Sequence, residues 1–286
     1  MLIVNITGGL GNQMFLYAYA KALEQKGYKT KLDISGFETY KLHGGYMLDK
    51  YNISLSVASK NEISRYYKRD LLSKLLRKLG KKDKKVLIDD NFVFDKKWLE
   101  IEDDRYIIGY FQSEKYIKDI RDTLLQEFSI KEEISSFAKE IEKEILSIQN
   151  SCSLHIRRGD YLLQQNINIH GFIGLEYYKK AIEMITQKHK DMQFFVFSDD
   201  IEWSKENLRI ENVTYIDSKE KRIPHEDIYL MSLCKHNIIA NSSFSWWGAW
   251  LNQNKDKIVI APARWFADEK LEKHSIDIVC DGWVKI

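Results

Sequence analysis

Along the chain, short apolar runs alternate with helical stripes. Leu2 to Thr7 is rich in β-branched residues and is closed by glycines, which predicts a buried strand. From Asn12 to Lys26, Phe15, Tyr19, Ala22 and Leu23 recur at helical spacing, and Lys29 to Ile34 predicts a second strand. Strand, glycine turn, helix, strand is the unit of a parallel sheet. Further on, Arg105 to Phe111 predicts a strand, and Ser113 a helix cap ahead of Ile117, Ile120, Leu124 and Phe128. Lys131 to Gln149 sets Ile134, Phe137, Ile141, Ile145 and Ile148 on one helical face. The pattern changes at Asn150 and Ser151, which places a domain boundary between residues 150 and 151.

The second half alternates again. Strands are predicted at Ser153 to Ile156, Gln193 to Phe197, Val213 to Ile216, Asn237 to Ala240 and Lys257 to Ala261. Helices are predicted at Leu175 to Lys188, His225 to Cys234 and Phe244 to Asn252. The expected fold class is α/β, with two Rossmann-like domains, 1–150 and 151–286, facing a cleft. In such sheets ligands bind beyond the carboxyl ends of the strands, so functional residues are expected there.

Composition narrows the classes. The chain has 286 residues, enough for a large core, and 44 basic against 42 acidic side chains. That balance gives no global field for nucleic acid, so anion binding must be local. Two prolines exclude Pro-rich and collagen-like classes. Cys152, Cys234 and Cys280 are scattered and odd in number, which argues against a disulfide framework and a zinc finger. The opening MLIVNITGGLGNQMF has neither the basic start nor the apolar length of a signal peptide, and a soluble, cytoplasmic protein is expected. One segment is unusual. Between Ile63 and Lys85, Leu71, Leu72, Leu75, Leu76 and Leu79 form a stripe among nine lysines and arginines from Lys68 to Lys85. It reads as a solvated surface helix or as a basic amphipathic helix making peripheral contact with an anionic membrane.

Four strand ends carry candidate chemistry. Gly8-Gly9-Leu10-Gly11-Asn12-Gln13 opens a helix. Glycines there let backbone N–H groups approach a phosphate or sugar, and Gln13 adds a second amide beside Asn12. The dinucleotide pattern GxGxxG is matched by Gly9 and Gly11 but has Met14 at its third glycine, with Asp33 where a ribose-binding acid would lie. His155-Ile156-Arg157-Arg158-Gly159-Asp160 ends a strand with two guanidiniums, whose planar forks suit phosphate. Alternation sets Arg157 and Arg158 on opposite sides, so one meets the ligand and the other braces the loop. Asp199 and Asp200 follow QFFVF, where they can accept from a ribose or a guanine, hold a metal, or cap a helix. No D-x-D sequence occurs, which favours a metal-free site with no cofactor. Asn241-Ser242-Ser243-Phe244 starts a helix whose N–H groups and hydroxyls make a phosphate cradle. Phe244 is placed near the nucleotide, and Trp246, Trp247 and Trp250 in the core.

Taken in order, GGLGNQMF, HIRRGDY, FSDD and NSSFSWWGAWL resemble bacterial α-1,2-fucosyltransferases of glycosyltransferase family 11, across Gly8 to Leu251. The resemblance implies a GT-B-like fold and an inverting, metal-independent transfer from GDP-β-L-fucose to the 2-hydroxyl of a galactose-containing acceptor. It implies a donor site with His155, Arg157 and Arg158, Arg157 on the diphosphate, and Asn12 near the fucose and diphosphate. It further implies nucleotide binding by Asp199, Ser242 and Ser243, and no membrane anchor. Asp160 is the first choice of general base, with bracing an arginine as its other role. Glu176 and His170 are alternatives, and so is a site with no strong base in which Asn12 orients the hydroxyl. Two other readings stand beside this one: an NAD-dependent oxidoreductase, and a non-catalytic carbohydrate-binding protein.

Overall fold

The computed structural model describes residues 1–39, 44–67, 84–159, 161, 167–217 and 223–286. The chain forms two compact units, Met1–Ser129 and Ile130–Ile286, each built on a parallel sheet.

In the N-terminal unit, β1 (Leu2–Asn5) lies between β2 (Thr30–Asp33) and β4 (Arg105–Ile108), with β3 (Val86–Ile88) outside β4. Strands β1 and β4 carry the β-branched and aromatic residues that suit a sheet buried on both faces. The order reverses between β1 and β4, and their carboxyl ends mark the switch point where such sheets bind ligands. Helix α1 (Leu10–Gln25) follows β1 and is buried almost all round. Its polar positions are satisfied under that cover. Tyr19 Oη donates to Trp98 O (2.7 Å), and Lys21 Nζ lies 2.8 Å from Ser54 Oγ and 3.1 Å from Glu127. A buried lysine without such partners would be costly. Helix α2 (Lys60–Ser64) opens on a capping box formed by Ser59 and Glu62. The helix predicted after Ser113 breaks into 3-10 turns at Glu114–Tyr116 and Lys118–Ile120 before α3 (Arg121–Glu127). Tyr116 packs there against Tyr19, Phe94 and Phe111, so tertiary packing overrides a continuous helix.

The C-terminal unit holds β5 (Ser151–Ile156), β6 (Gln193–Ser198), β7 (Val213–Tyr215), β8 (His236–Ile238), β9 (Val259–Ala261) and β10 (Val284–Lys285). Their spatial order is β10-β9-β8-β5-β6-β7. Counted from β5, this is 3-2-1-4-5-6, the dinucleotide-fold order, with its switch point between β5 and β8. Helices α4 (Ser136–Ser147), α5 (Leu175–Lys188), α6 (Ile201–Asn207), α7 (Pro224–Leu233), α8 (Ser243–Leu251) and α9 (Glu269–Lys273) complete the unit.

The units divide between Ser129 and Ile130, not at the change of pattern at 150/151. Helix α4 explains the difference. Ser135, its N-cap, donates from N and Oγ to the buried Glu226 of α7 (both 2.7 Å), and Thr214 Oγ1 donates to Glu144 (2.6 Å). Ala138, Ile141 and Ile145 are its buried face. A stripe read from sequence shows that a helix is amphipathic but not which core receives it.

The aromatics of α8 are core, as expected: Trp246, Trp247 and Trp250 are buried, and Trp246 Nε1 donates to Ile278 O (2.7 Å). All three cysteines are free and buried. Among the described residues no helix is long and apolar enough to cross a membrane. The basic segment from residue 68 lies outside the described residues except for Lys84 and Lys85, and Lys85 pairs with Asp104 (2.7 Å).

Candidate active site

In the C-terminal unit three strand ends meet. His155, the second-last residue of β5, is buried, and its ring lies 5.5 Å from that of Phe244 in the first turn of α8. Arg157 and Arg158 follow where the strand leaves the sheet. Arg158 is the brace: its Nη1 meets Asp200 Oδ2 at 2.5 Å, and its guanidinium lies 4.6 Å over the Trp203 ring. Asp200 also caps α6, accepting from Trp203 N (3.3 Å).

Asp199 sits where a ribose-binding acid was expected, but its carboxylate organises the arginine loop. It accepts from Arg158 N (2.9 Å) and Gly159 N (3.1 Å), and Arg157 Nε lies 3.3 Å from it. A Cβ at Gly159 would stand 3.2 Å from Asp199 Oδ2 and would press on that carboxylate. With Nε toward Asp199, the guanidinium of Arg157 lies 5.7 Å over the Tyr161 ring. Tyr161 stacks on His170 (4.8 Å, 13° between planes), and His170 packs on Phe266 (5.7 Å). Tyr161 Oη donates to Asn241 O (3.0 Å), and Asn241 Nδ2 donates to His170 O and Trp265 O (both 3.0 Å). The Arg157 side of the loop is thus tied to the strand end that precedes α8.

Ser242 caps α8, its Oγ accepting from Phe244 N (3.3 Å), and no acidic residue lies in the first turn. The helix start carrying Ser243 and Phe244 keeps its positive polarisation, as an anion site requires. The C-terminal unit therefore offers Arg157, braced by Asp199, together with the start of α8, both at the switch point.

The N-terminal unit offers a second set. Gly8 has φ +79°, and a Cβ there would stand 2.7 Å from Asn12 Nδ2. The turn therefore depends on Gly8, whereas Gly9, at the N-cap of α1, has an ordinary φ of −72°, and Gly11 is buried in the first turn. Gln13 is fully buried, and its amide is used on the chain itself. Nε2 donates to Gly8 O (2.9 Å) and Gly45 O (2.8 Å), and Oε1 accepts from Met47 N (3.0 Å). It shapes the loop, and the amide at the mouth is that of Asn12. Asn12 Oδ1 accepts from Gln112 Nε2 at 2.8 Å, across the switch point from the segment after β4. Gln112 carries no sequence signal beyond its place after a strand.

Other candidates fall elsewhere. Glu176 is exposed in the first turn of α5 and pairs with Lys179 (2.9 Å). Asp160 lies outside the described residues. Asp33 is buried and accepts from Ser35 N (2.8 Å), Ser35 Oγ (2.6 Å) and Tyr106 Oη (2.6 Å), so its carboxylate serves the fold. With Met14 buried at the third glycine position, the dinucleotide reading loses both its glycine and its acid. Among the described residues no group of three His, Cys, Asp or Glu side chains is placed to hold a metal ion.

Comparison with known proteins adds to this geometry. The sequence profile described as Glycosyl transferase family 11 matches residues 1–286. The chain is 37% identical over 299 residues to an α-1,2-colitosyltransferase of Escherichia coli, covering 100% of this chain and 99% of that protein. It is 33% identical over 310 residues to the O-antigen biosynthesis glycosyltransferase WbnK of Escherichia coli, covering 98% and 99%. In three dimensions it is similar to the fucosyltransferase NodZ from Bradyrhizobium (TM-score 0.52, 12% identity, 86% of this chain and 91% of that one). That likeness shows the fold, which is GT-B-like.

Proposed function

The chain belongs to glycosyltransferase family 11, and on that footing we propose that it moves L-fucose from GDP-β-L-fucose to the 2-hydroxyl of a galactoside with inversion, forming an α-1,2 linkage. The observation that carries the donor half is Arg157, held by Asp199 at the switch point of a dinucleotide-type sheet and joined to the start of α8 through Tyr161 and Asn241. The colitosyl-transferring relative is by name an α-1,2-transferase. Colitose is fucose without its 3-hydroxyl, so the same chemistry serves either donor.

In this reading the acceptor O2 attacks the anomeric carbon from the face opposite the diphosphate. The C–O bond to the diphosphate breaks, its electron pair leaves with GDP, and the acceptor proton passes to a base. The transition state is oxocarbenium-like. Negative charge grows on the diphosphate, and the Arg157 guanidinium with the first N–H groups of α8 stabilises it. These cationic and dipolar groups do what a metal ion would do elsewhere, so the reaction is proposed to need none. Asn12, its carboxamide oriented by Gln112, aligns the acceptor hydroxyl. Asp160 remains the first choice of base.

The test is incubation with GDP-fucose and, separately, GDP-colitose in the presence of a β-galactoside, followed by mass and NMR analysis of the product. A new α-linkage at O2 is expected. No transfer from GDP-fucose, whether or not GDP-colitose is used, or a β-linked product, overturns the reading.

A further inference from the structure

Resting on that reading, we propose that Tyr110, backed by Phe92, is the platform on which the acceptor's pyranose ring stacks. Tyr110 follows β4 at the carboxyl edge of the N-terminal sheet. Its side chain is among the few large apolar ones left open, 39% exposed, and its ring lies nearly parallel to that of Phe92 (centroids 5.7 Å apart, 18° between planes). Large aromatic rings at a surface normally turn inward, because burial of their area is worth more than any surface contact. Here the neighbouring backbone is arranged to keep the ring out.

Three observations define that arrangement. Phe111, the next residue, has φ +50°, a conformation that is strained for a bulky side chain. It is anchored by a tight stack on Tyr19 (3.7 Å, 9°) and is fully buried. Gly109, the preceding residue, cannot carry a side chain: a Cβ would meet Phe111 at 2.8 Å and Asp89 at 3.1 Å. Asp89 in turn is buried at the end of β3, and its Oδ1 accepts from Asn91 N (3.3 Å), which fixes the start of the segment that carries Phe92. The outcome of the strained turn is that Tyr110 faces solvent while Gln112, two residues on, turns in to Asn12 at 2.8 Å.

The occupant follows from chemistry. A galactopyranose has one face formed by C3–H, C4–H and C5–H, which is apolar and flat enough to lie on an aromatic ring. Such sites combine one stacking face with a few convergent polar groups. The polar group here is the Asn12 carboxamide, held by Gln112 two residues after Tyr110, and Asp90, between β3 and Phe92 in the chain, is exposed.

The experiment measures initial rates of the full chain against methyl β-D-galactopyranoside at saturating GDP-fucose, and against GDP-fucose at saturating acceptor. Tyr110→Ala is expected to raise the acceptor KM about tenfold, the equivalent of about 1.4 kcal/mol, with the donor KM unchanged. Tyr110→Leu should behave like the alanine variant, because it keeps apolar area but not a flat face. Tyr110→Trp should keep the acceptor KM within about threefold. In parallel, saturation-transfer NMR on the same sugar should mark H3, H4 and H5 with the wild-type protein and lose that mark in Tyr110→Ala. An unchanged acceptor KM, or equal rises in both KM values, overturns the platform. If no donor supports turnover, the function proposed above fails, and the NMR arm still decides whether Tyr110 binds the sugar.

Discussion

Gln112 donates its Nε2 hydrogen to Asn12 Oδ1 at 2.8 Å, although the two residues are 100 positions apart. The bond fixes which way the Asn12 carboxamide faces. In the proposed function Gln112 is a positioning residue that acts through Asn12. In a double-mutant cycle, Gln112→Ala should lower kcat about tenfold in the wild-type background and have no further effect in Asn12→Ala. Equal losses in both backgrounds would show an ordinary structural contribution.

Arg157→Ala should lower kcat/KM by about 10²–10³, the usual effect of removing a group that meets developing charge. Arg157→Lys should not restore it, because an ammonium cannot both keep the contact with Asp199 and present a planar fork. Kinetics and GDP calorimetry on the same preparations check this. Near-normal GDP affinity in the alanine variant would remove Arg157 from the donor site.

Asp199→Asn separates bracing from nucleotide contact. As the acceptor for two loop N–H groups and Arg157 Nε, Asp199 orders the loop proposed to meet the phosphates. GDP affinity should fall about tenfold, while affinity for guanosine stays the same. A parallel loss of guanosine binding would return Asp199 to the ribose or base.

Transfer should persist in excess EDTA, because the charge on the diphosphate is proposed to be met by Arg157 and the start of α8. Activity lost to EDTA and regained with Mn²⁺ or Mg²⁺ would overturn that part of the mechanism.

His236 gives the fold a pH dependence. It is buried, its Nδ1 accepts from Ile258 N (3.0 Å), and its ring lies 4.5 Å from that of His189. Burial, then His189 and Lys235, push it down to about 4. The native state thus binds this proton less readily than the unfolded chain does. The contribution is complete above pH 6.5 and is lost as pH falls to about 4, by up to roughly 3 kcal/mol. Urea midpoints at pH 7 and 4.5 should fall less steeply in His236→Gln than in the wild type. Identical slopes would sink the assignment.

Gly248 lets α8 approach α7: a Cβ there would stand 2.7 Å from Met231 Cβ. Gly248→Ala should destabilise by about 1–3 kcal/mol through overpacking, despite alanine's better helix propensity. Thermal unfolding checks it, and an unchanged midpoint would mean the helices yield freely.

Strand ends were the most legible feature of the chain. β1, β5, β6, β8 and β9 appear as apolar runs because a parallel sheet is buried on both faces, and the residues after them carry the chemistry. Helix α5 occupies Leu175–Lys188 as predicted, since its stripe faces one core. β3 and β10, with three and two residues, are too short to show a period. Of the glycines in the Gly8–Gln13 run, the sequence does not show that Gly8 is the one the turn depends on, because backbone torsion is not written in composition. Asp199 and Gln13 were read as ligand groups from their position. Only the coordinates show that loop N–H groups and carbonyls already take up much of what they offer. Gln112 was missed because its partner is distant in sequence, and a contact of that kind leaves no local pattern.

Strand β5 has consequences for how this protein comes to be. It pairs with β6 through Cys152↔Phe194 and with β8 through Cys152↔His236. The contacts on the β8 side span 84 residues, as in Asn237 Nδ2 to Ser153 Oγ, while those on the β6 side span about half that, as in Arg158 N to Asp199. Closing the longer loop costs only about 0.6 kcal/mol more in chain entropy, but it requires the segment through β8 to exist. During synthesis the arginine loop and its two aspartates can form well before the helix that completes the phosphate cradle. On the proposed function, affinity for GDP would then be a late property of the growing chain, gained only once α8 has been made, and nucleotide retention by truncated chains would date that moment.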